Sequence, residues 1–322
     1  MGMRQHSAIH PKLKPQGTIA GTQTELALLE RLTRFEVLPS HYVALTSYDH
    51  KLLTPLMAGH YIGLPKGEVR CDRCDTSHPI SEDAWLYTRQ KNVYYPLTLY
   101  PRGELLLAKR GLWDARRKQN DDFDHRMFRC LVMHSFYKAG AETFDDLVQK
   151  PWFPFAPTKE DDKAHRIPIG RTPKGKLYFL LPDEFVRIGK FNAYIEIDNN
   201  TETHEGQLKE KLKNYIKHIK SRGFETRYGL RSVNVIFYFN RERRVANFIA
   251  LVAKVVPKDL QHLFMAKYVP DFHTEYPPAT DWAYTEPYEC VAGTFNIKEA
   301  LSGQGRENLR PRSSAEENRP TA

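Results

Sequence analysis

The stretch that decides the fold reads Pro182-Asp183-Glu184-Phe185-Val186-Arg187-Ile188-Gly189-Lys190-Phe191-Asn192-Ala193-Tyr194-Ile195-Glu196-Ile197-Asp198. Phe185–Ile188 and Phe191–Ile197 are rich in β-branched and aromatic residues, with Gly189-Lys190 as a turn between them, so the spacing predicts paired strands. Alternate residues of a strand face one side, which puts Glu196 and Asp198 on a common face. Asp183 lies between this hairpin and an earlier apolar strand at Lys176–Leu181, at the same end of the sheet. Clustered carboxylates repel one another unless a cation holds them. Mg²⁺ suits such an oxygen set, commonly with one or two carboxylates plus water and phosphate. It would activate water and stabilise charge developing on a scissile phosphate. Taken singly, the same residues read more plainly, Asp183 as a turn residue and Glu196 and Asp198 as a solvated strand edge.

Downstream, Thr203–Arg222 is a strongly charged helix with Gln207, Lys211 and Tyr215 at i, i+4 and i+8 on one face. Lys209, Lys213, Lys217 and Lys220 add positive charge around it. Val233–Phe239 reads as a buried strand, Arg241–Val255 as a helix and His262–Tyr268 as a final strand. Upstream, Phe123–Gly140 reads as a helix, and Lys150–Gly175, rich in proline and charge, as a long connection. Within that connection Trp152-Phe153-Pro154-Phe155 is expected to anchor the chain on a core, the alternative being a platform for stacked bases. The order α-β-β-β-α-β-α-β implies a mixed sheet covered by helices.

At the front, Thr22 with Glu25 forms a capping-box pattern, and Leu26, Leu29, Leu32 and Phe35 recur at helical spacing. A short helix from Pro39 or Ser40 and a third at His50–Gly59 follow. Tyr61, Ile62 and Leu64 read as a strand, Tyr94, Tyr95 and Leu97 as its returning partner, and Thr98–Lys109 as a helix. This is the order of a winged helix-turn-helix, whose third helix enters the major groove while the wing touches the backbone. Lys51, Thr54 and His60 belong on or beside the exposed face of that helix, and Lys66, Arg70, Arg73, Arg89 and Lys91 on the wing. Pro55 would kink the helix or mark its first turn. The alternative is a winged helix that binds protein.

The chain has 322 residues and a formal net charge of +9, with 48 Lys and Arg against 39 Asp and Glu. Nucleic acid is the first partner to consider and an anionic membrane surface the second. The expected organisation is a basic arm at 1–21, a DNA-binding domain at 22–112, an α/β domain at 113–301 and a tail at 302–322. No stretch is apolar enough to cross a membrane and no signal-peptide core opens the chain, so a cytoplasmic protein is expected. Cys71 and Cys74 form C-x₂-C with His78 four residues on, a spacing compatible with Zn²⁺. Four ligands make a structural site, and His60 or Asp75 is the candidate for the fourth. Free thiols in the wing are the plainer reading. Cys130 is expected in the core, and His125 and His134 as solvated or core histidines. No Gly-rich phosphate loop is present, which argues against an ATP-driven motor.

A resemblance rests on Pro182-Asp183, on Glu196-Ile197-Asp198 with Asn199, Thr201 and Glu202, and on Lys211-Leu212-Lys213-Asn214-Tyr215. At the front it rests on Leu26–Phe35, Gly59-His60-Tyr61-Ile62, Tyr95-Pro96-Leu97-Thr98, Arg102-Gly103 and Phe123-Asp124-His125. Over residues 22–255 these resemble the replication-relaxation family of plasmid and mobile-element proteins. The resemblance implies a winged helix-turn-helix followed by a restriction-endonuclease-like (PD-(D/E)XK) mixed-sheet domain. It further implies a part in plasmid or phage DNA replication, or in DNA relaxation during mobilisation. An active site of that type usually has Lys two residues after the strand Glu; Asp198 stands there, and Lys211 is the candidate replacement. If the site is active, the resemblance implies Mg²⁺-dependent nicking of double-stranded DNA, with Asp183 and Glu196 as metal ligands, Asp198 assisting and Lys211 orienting water or neutralising phosphate; if it is degenerate, the domain only binds DNA or helps a separate relaxase. The rival is a non-enzymatic transcriptional regulator or relaxosome accessory factor, with the second domain serving a homodimer or contact with a relaxase or replication protein.

Overall fold

Thr22 starts the first helix as expected: its Oγ1 accepts from Glu25 N at 3.3 Å while Glu25 Oε2 accepts from Thr22 N at 2.7 Å. This reciprocal pairing satisfies two of the donors that a helix start leaves open. The helix, α1 (Gln23–Phe35), buries Leu28, Leu29, Leu32 and Phe35, with Leu28 taking the place expected for Leu26. In the computed structural model the described residues are 19–44, 47–65, 68–71, 76–79, 96–112, 123–155, 166–171, 174–175, 177–198, 205–269 and 280–302. The chain divides into two compact units, Met1–His134 with Pro270–Thr280, and Ser135–Val269 with Asp281–Ala322.

In the first unit α1 leads to β1 (Val37–Pro39), α2 (Ser40–Val43), α3 (Ser47–Ala58) and β2 (Ile62–Gly63). The hairpin β3 (Glu68–Cys71) and β4 (Thr76–Pro79) follows, then β5 (Pro96–Leu99) and α4 (Pro101–Lys109). β5 lies between β1 and β2 and is antiparallel to both, with Leu38 opposite Leu97 and Ile62 opposite Leu99. β1 was not foreseen, since three residues carry no period. Thr98 Oγ1 ties it to β5 by donating to Glu36 O at 2.7 Å. Pro55 sits in the last turn of α3, and the helix runs through it. The expected start of α3 at His50 and of α4 at Thr98 move to Ser47 and Pro101, where proline opens the helix.

Gly103 lets α4 approach β2, because a Cβ there would stand 2.4 Å from Tyr61 O and 2.7 Å from Leu99 Cδ1. The first of these is backbone and cannot turn aside. Gly103→Ala is therefore expected to lower unfolding stability by about 1–3 kcal/mol, read by urea denaturation; an unchanged midpoint would show that α4 yields.

The boundary between the units falls inside α5 (Phe123–Lys138), not at 112–113, and every residue from Met127 to Phe136 is buried. A helix buried all round offers no solvent stripe at which a domain could end. Its first part belongs to the first unit: the Cys130 thiol donates to Phe35 O, Arg129 lies 3.6 Å from Glu36, and His134 packs on the Phe35 and Tyr42 rings.

In the second unit Thr143 caps α6 (Phe144–Leu147). The span read as a long connection holds a strand, β6 (Ile167–Arg171), which pairs antiparallel with β7 (Leu177–Leu180). Phe153 is buried and stacks on Tyr228, so this aromatic does anchor the chain, whereas Trp152 is exposed and lies under Arg187. Next come β8 (Glu184–Ile188) and β9 (Phe191–Asp198), antiparallel as expected. They are followed by α7 (Glu205–Lys220), α8 (Gly223–Tyr228), β10 (Asn234–Phe239) and α9 (Glu242–Val255). The strand expected at His262 starts at Phe264, because Lys258–Leu263 forms a 3₁₀ turn. It is β11 (Phe264–Tyr268), and it is not the last strand. α10 (Trp282–Thr285), β12 (Tyr288–Cys290), β13 (Gly293–Phe295) and α11 (Ile297–Ser302) complete the unit.

The sheet order is β13-β12-β11-β10-β9-β8. β10 runs parallel to β9 and β11, and the outer pairs are antiparallel, giving the mixed sheet that was expected. Every residue of β9 is buried. Tyr194 on β9 and Val235, Phe237 and Phe239 on β10 share a core with Leu208, Leu212 and Tyr215 of α7 and Val245, Phe248 and Val252 of α9. The outer flank of β8 is met by Glu142, whose N donates to Arg187 O and whose O accepts from Arg187 N, each at 2.8 Å. Among the described residues no helix is long and apolar enough to cross a membrane.

Candidate active site

The β9 period of two sets Tyr194, Glu196 and Asp198 on one face. Across from them α7 presents Lys211, Tyr215 and His218 at i, i+4 and i+7. The two rows meet residue by residue. Tyr194 Oη lies 2.9 Å from His218 Nε2, Glu196 Oε1 accepts from the Tyr215 hydroxyl, and Glu196 Oε2 lies 2.8 Å from Lys211 Nζ.

Asp183 precedes β8 directly and is half-buried. Its Oδ2 accepts from Ile197 N at 2.7 Å, which fixes the carboxylate against β9 beside Glu196. Burial raises the Glu196 pKa to about 7; Lys211 lowers it and Asp183 raises it further. Burial also holds the Tyr215 hydroxyl well above its ordinary range, with the neighbouring Glu196 adding to the effect. Tyr215 therefore stays a proton donor to Glu196 at any ordinary pH.

Asp198 is buried on the same face but does not join the pair. Arg244, from α9, binds its carboxylate, with the guanidinium 5.7 Å from the Phe239 ring centre. The expected three-acid cluster is thus reduced to Asp183 and Glu196. Among the described residues no group of three or more His, Cys, Asp or Glu is arranged to hold a metal. Gln207, expected on the face of Lys211 and Tyr215, is exposed. Glu196 Oε1 is taken by the Tyr215 hydroxyl and Oε2 by the Lys211 ammonium, and Asp183 Oδ2 by Ile197 N, so a small hard cation would have to displace Lys211 from Glu196.

Lys51 and Thr54 are exposed on α3, and His60, half-buried, follows that helix in a left-handed conformation (φ 57°). Lys66, Arg73, Arg89 and Lys91 lie outside the described residues. So do Cys74 and Asp75. Arg70 and Cys71 on β3 and His78 on β4 are described only as backbone, in a ladder that pairs Cys71 with Thr76 and Val69 with His78.

Sequence reasoning missed the Tyr194–His218 pair and Arg244. His218 continues the Lys211–Tyr215 row by one helical step, so its position was readable from the period. Burial, and then Arg227, lower its pKa to about 4 from 6.5. A depressed histidine pKa means that neutral His218 favours the fold. That contribution is complete above pH 6.5 and is lost as pH falls through 4. Removing the titration in His218→Gln is expected to flatten the fall in unfolding free energy between pH 6.5 and 4 by about 3 kcal/mol. Parallel urea-unfolding curves for parent and variant across this range would refute it.

Comparison of the chain with protein-family models, with curated proteins and with solved structures finds no match.

Proposed function

We propose that this is a DNA-binding protein of plasmid or phage DNA replication or relaxation, which docks on duplex DNA through a winged helix and carries a metal-dependent nicking site on a PD-(D/E)XK-like fold. The observation that carries the reading is the ion pair of Glu196 on β9 with Lys211 from the crossover helix, beside Asp183, which directly precedes β8 and is bonded to Ile197 N. The first unit supports it through three helices and an antiparallel sheet of order β1-β5-β2 with a hairpin between β2 and β5. In a winged helix that order makes α3 the groove-entering element and β3–β4 the wing. Lys51 and Thr54 on the exposed side of α3 then face the bases or their phosphates. In the second unit the hairpin β8–β9, followed by a helix and the parallel strand β10, supports the nuclease-like reading.

Asp183 and Glu196 would hold Mg²⁺, which supplies an activated water and stabilises charge on the scissile phosphate. Tyr215 orients Glu196 through its hydroxyl. Lys211, whose side chain is 24 % exposed, is the group of the site that can turn toward a phosphate oxygen. Asp198 does not serve as a ligand while Arg244 holds it; together the two brace the end of β9.

The test is supercoiled plasmid incubated with the pure chain and Mg²⁺ or Mn²⁺. Open-circular product is expected from the parent chain and is lost in Asp183→Ala, which keeps its duplex affinity. Equal cleavage by both would reject the site. The commitment of Asp198 to Arg244 and of Lys211 to Glu196 also favours a second reading, a non-enzymatic regulator or relaxosome accessory factor. Absence of nicked product from a folded, DNA-binding parent chain would select it.

A further inference from the structure

The helix that sends Lys211 and Tyr215 inward carries a second row outward. Lys209, Lys213, Lys217 and Lys220 recur at i, i+4, i+8 and i+11, which sets them within an arc of about 80° along about 16 Å of helix. All four are exposed, while Leu208, Leu212, Tyr215 and Ile219 fill the opposite side. Among the described residues Glu210 is the carboxylate that pairs with the row, 3.2 Å from Lys213. Both partners are well exposed, and such a pair is weak and exchanges readily.

The β6–β7 hairpin packs beside this row. A Cβ at Gly170 would stand 2.9 Å from Lys217 Nζ, so glycine leaves the ammonium its place. The Tyr178 hydroxyl accepts from Asn214 Nδ2 at 3.4 Å. The same hairpin adds Arg171 and Lys174, both exposed. Four ammonium groups in line, self-repelling and without a matching row of carboxylates, are stabilised by a polyanion of regular charge. Tyr178 is an exposed aromatic beside the row, but a single ring is not the succession of stacking platforms that unpaired bases use. Its chemistry therefore suits a backbone whose bases face inward.

We propose that the outer face of α7, with Arg171 and Lys174 beside it, binds the phosphate backbone of duplex DNA. This rests on the reading of the protein as a duplex binder and adds a contact surface on the helix that also carries Lys211. Each phosphate neutralised releases counterions, so the contribution of the row appears in the salt dependence of binding.

The experiment uses the full chain with Lys209, Lys213, Lys217 and Lys220 all changed to Gln, and follows binding of a fluorescent duplex by anisotropy from ~50 to ~200 mM salt. The slope of log K against log salt is expected to be shallower by about 3.6, at about 0.9 per phosphate contact. The all-Arg variant is expected to keep the parent slope, because it keeps the charge. If the fourfold variant does not fold, the pairs Lys209→Gln/Lys213→Gln and Lys217→Gln/Lys220→Gln should each remove about half of that change. An unchanged slope in folded variants overturns the proposal, as does a change confined to a single-stranded probe. Lys51→Ala/Thr54→Ala separates the two readings. If it weakens duplex binding while the α7 variants leave the slope intact, the α7 surface alone fails. If the α7 variants flatten the slope while it has no effect, docking through α3 fails instead.

Discussion

Glu196→Gln is expected to make the protein more stable at pH 8 and to leave its stability unchanged at pH 4. The Glu196 carboxyl is 1 % exposed, and burial raises its pKa from 4.5 to about 7 in spite of Lys211 at 2.8 Å. A raised carboxyl pKa means that the protonated form favours the fold. That contribution is complete below pH 4.5 and is lost as pH rises through 7. Above pH 7 the ionised carboxylate therefore opposes folding by about 3 kcal/mol, the net of the burial cost and the partly offsetting attraction of Lys211. Gln keeps the acceptor for the Tyr215 hydroxyl and removes the charge, and Lys211, partly exposed, turns to water. Unfolding free energies of parent and variant at the two pH values test this. A difference independent of pH would mean that Glu196 ionises freely. Loss of nicking in the more stable variant would mark the carboxylate as kept for chemistry at the expense of stability, the usual sign of a working site.

Arg244→Ala is expected to destabilise the protein by about 3–5 kcal/mol, the usual consequence of removing one member of a buried ion pair. Asp198 is 3 % exposed, so its charge is held mainly by groups within the protein. Adding Asp198→Asn to Arg244→Ala should recover most of the loss, because a neutral amide is far less costly to bury than a carboxylate. Asp198→Asn alone should be milder than Arg244→Ala, since Arg244 can reach solvent. A double-mutant cycle in urea measures the coupling. Additive effects would show that the two residues do not depend on each other.

The second unit was readable where the sequence carried a period. The hairpin at Phe185–Asp198 and the strand ending at Phe239 stand out because β-branched and aromatic residues run between turn residues. The placement of Asp183 beside Glu196 follows from the hairpin register, which sets Glu184 opposite Ile195. What escaped had either no period or a long-range cause. β1 is three residues long, and β6 is hidden among prolines and charges whose strand character comes from pairing with β7. β12 and β13 are equally short. The fate of Asp198 depended on Arg244, 46 residues away, and no local pattern links the two. The boundary inside α5 was invisible for a related reason: the helix reads as one uninterrupted element, and only its packing assigns its halves.

The flanks of the six-stranded sheet bear on how the protein behaves at high concentration. A long, bare outermost strand offers its amides to the next molecule and seeds fibrous assembly. Here one outermost strand is three residues long, and the other already exchanges both hydrogen bonds of Arg187 with Glu142. Among the described residues one flank is short and the other is capped at Arg187, which limits the ladder that a foreign strand could use. Concentrated solutions should stay clear for as long as the short Glu142 bridge holds, and clouding should begin where a substitution such as Glu142→Pro removes its amide donor.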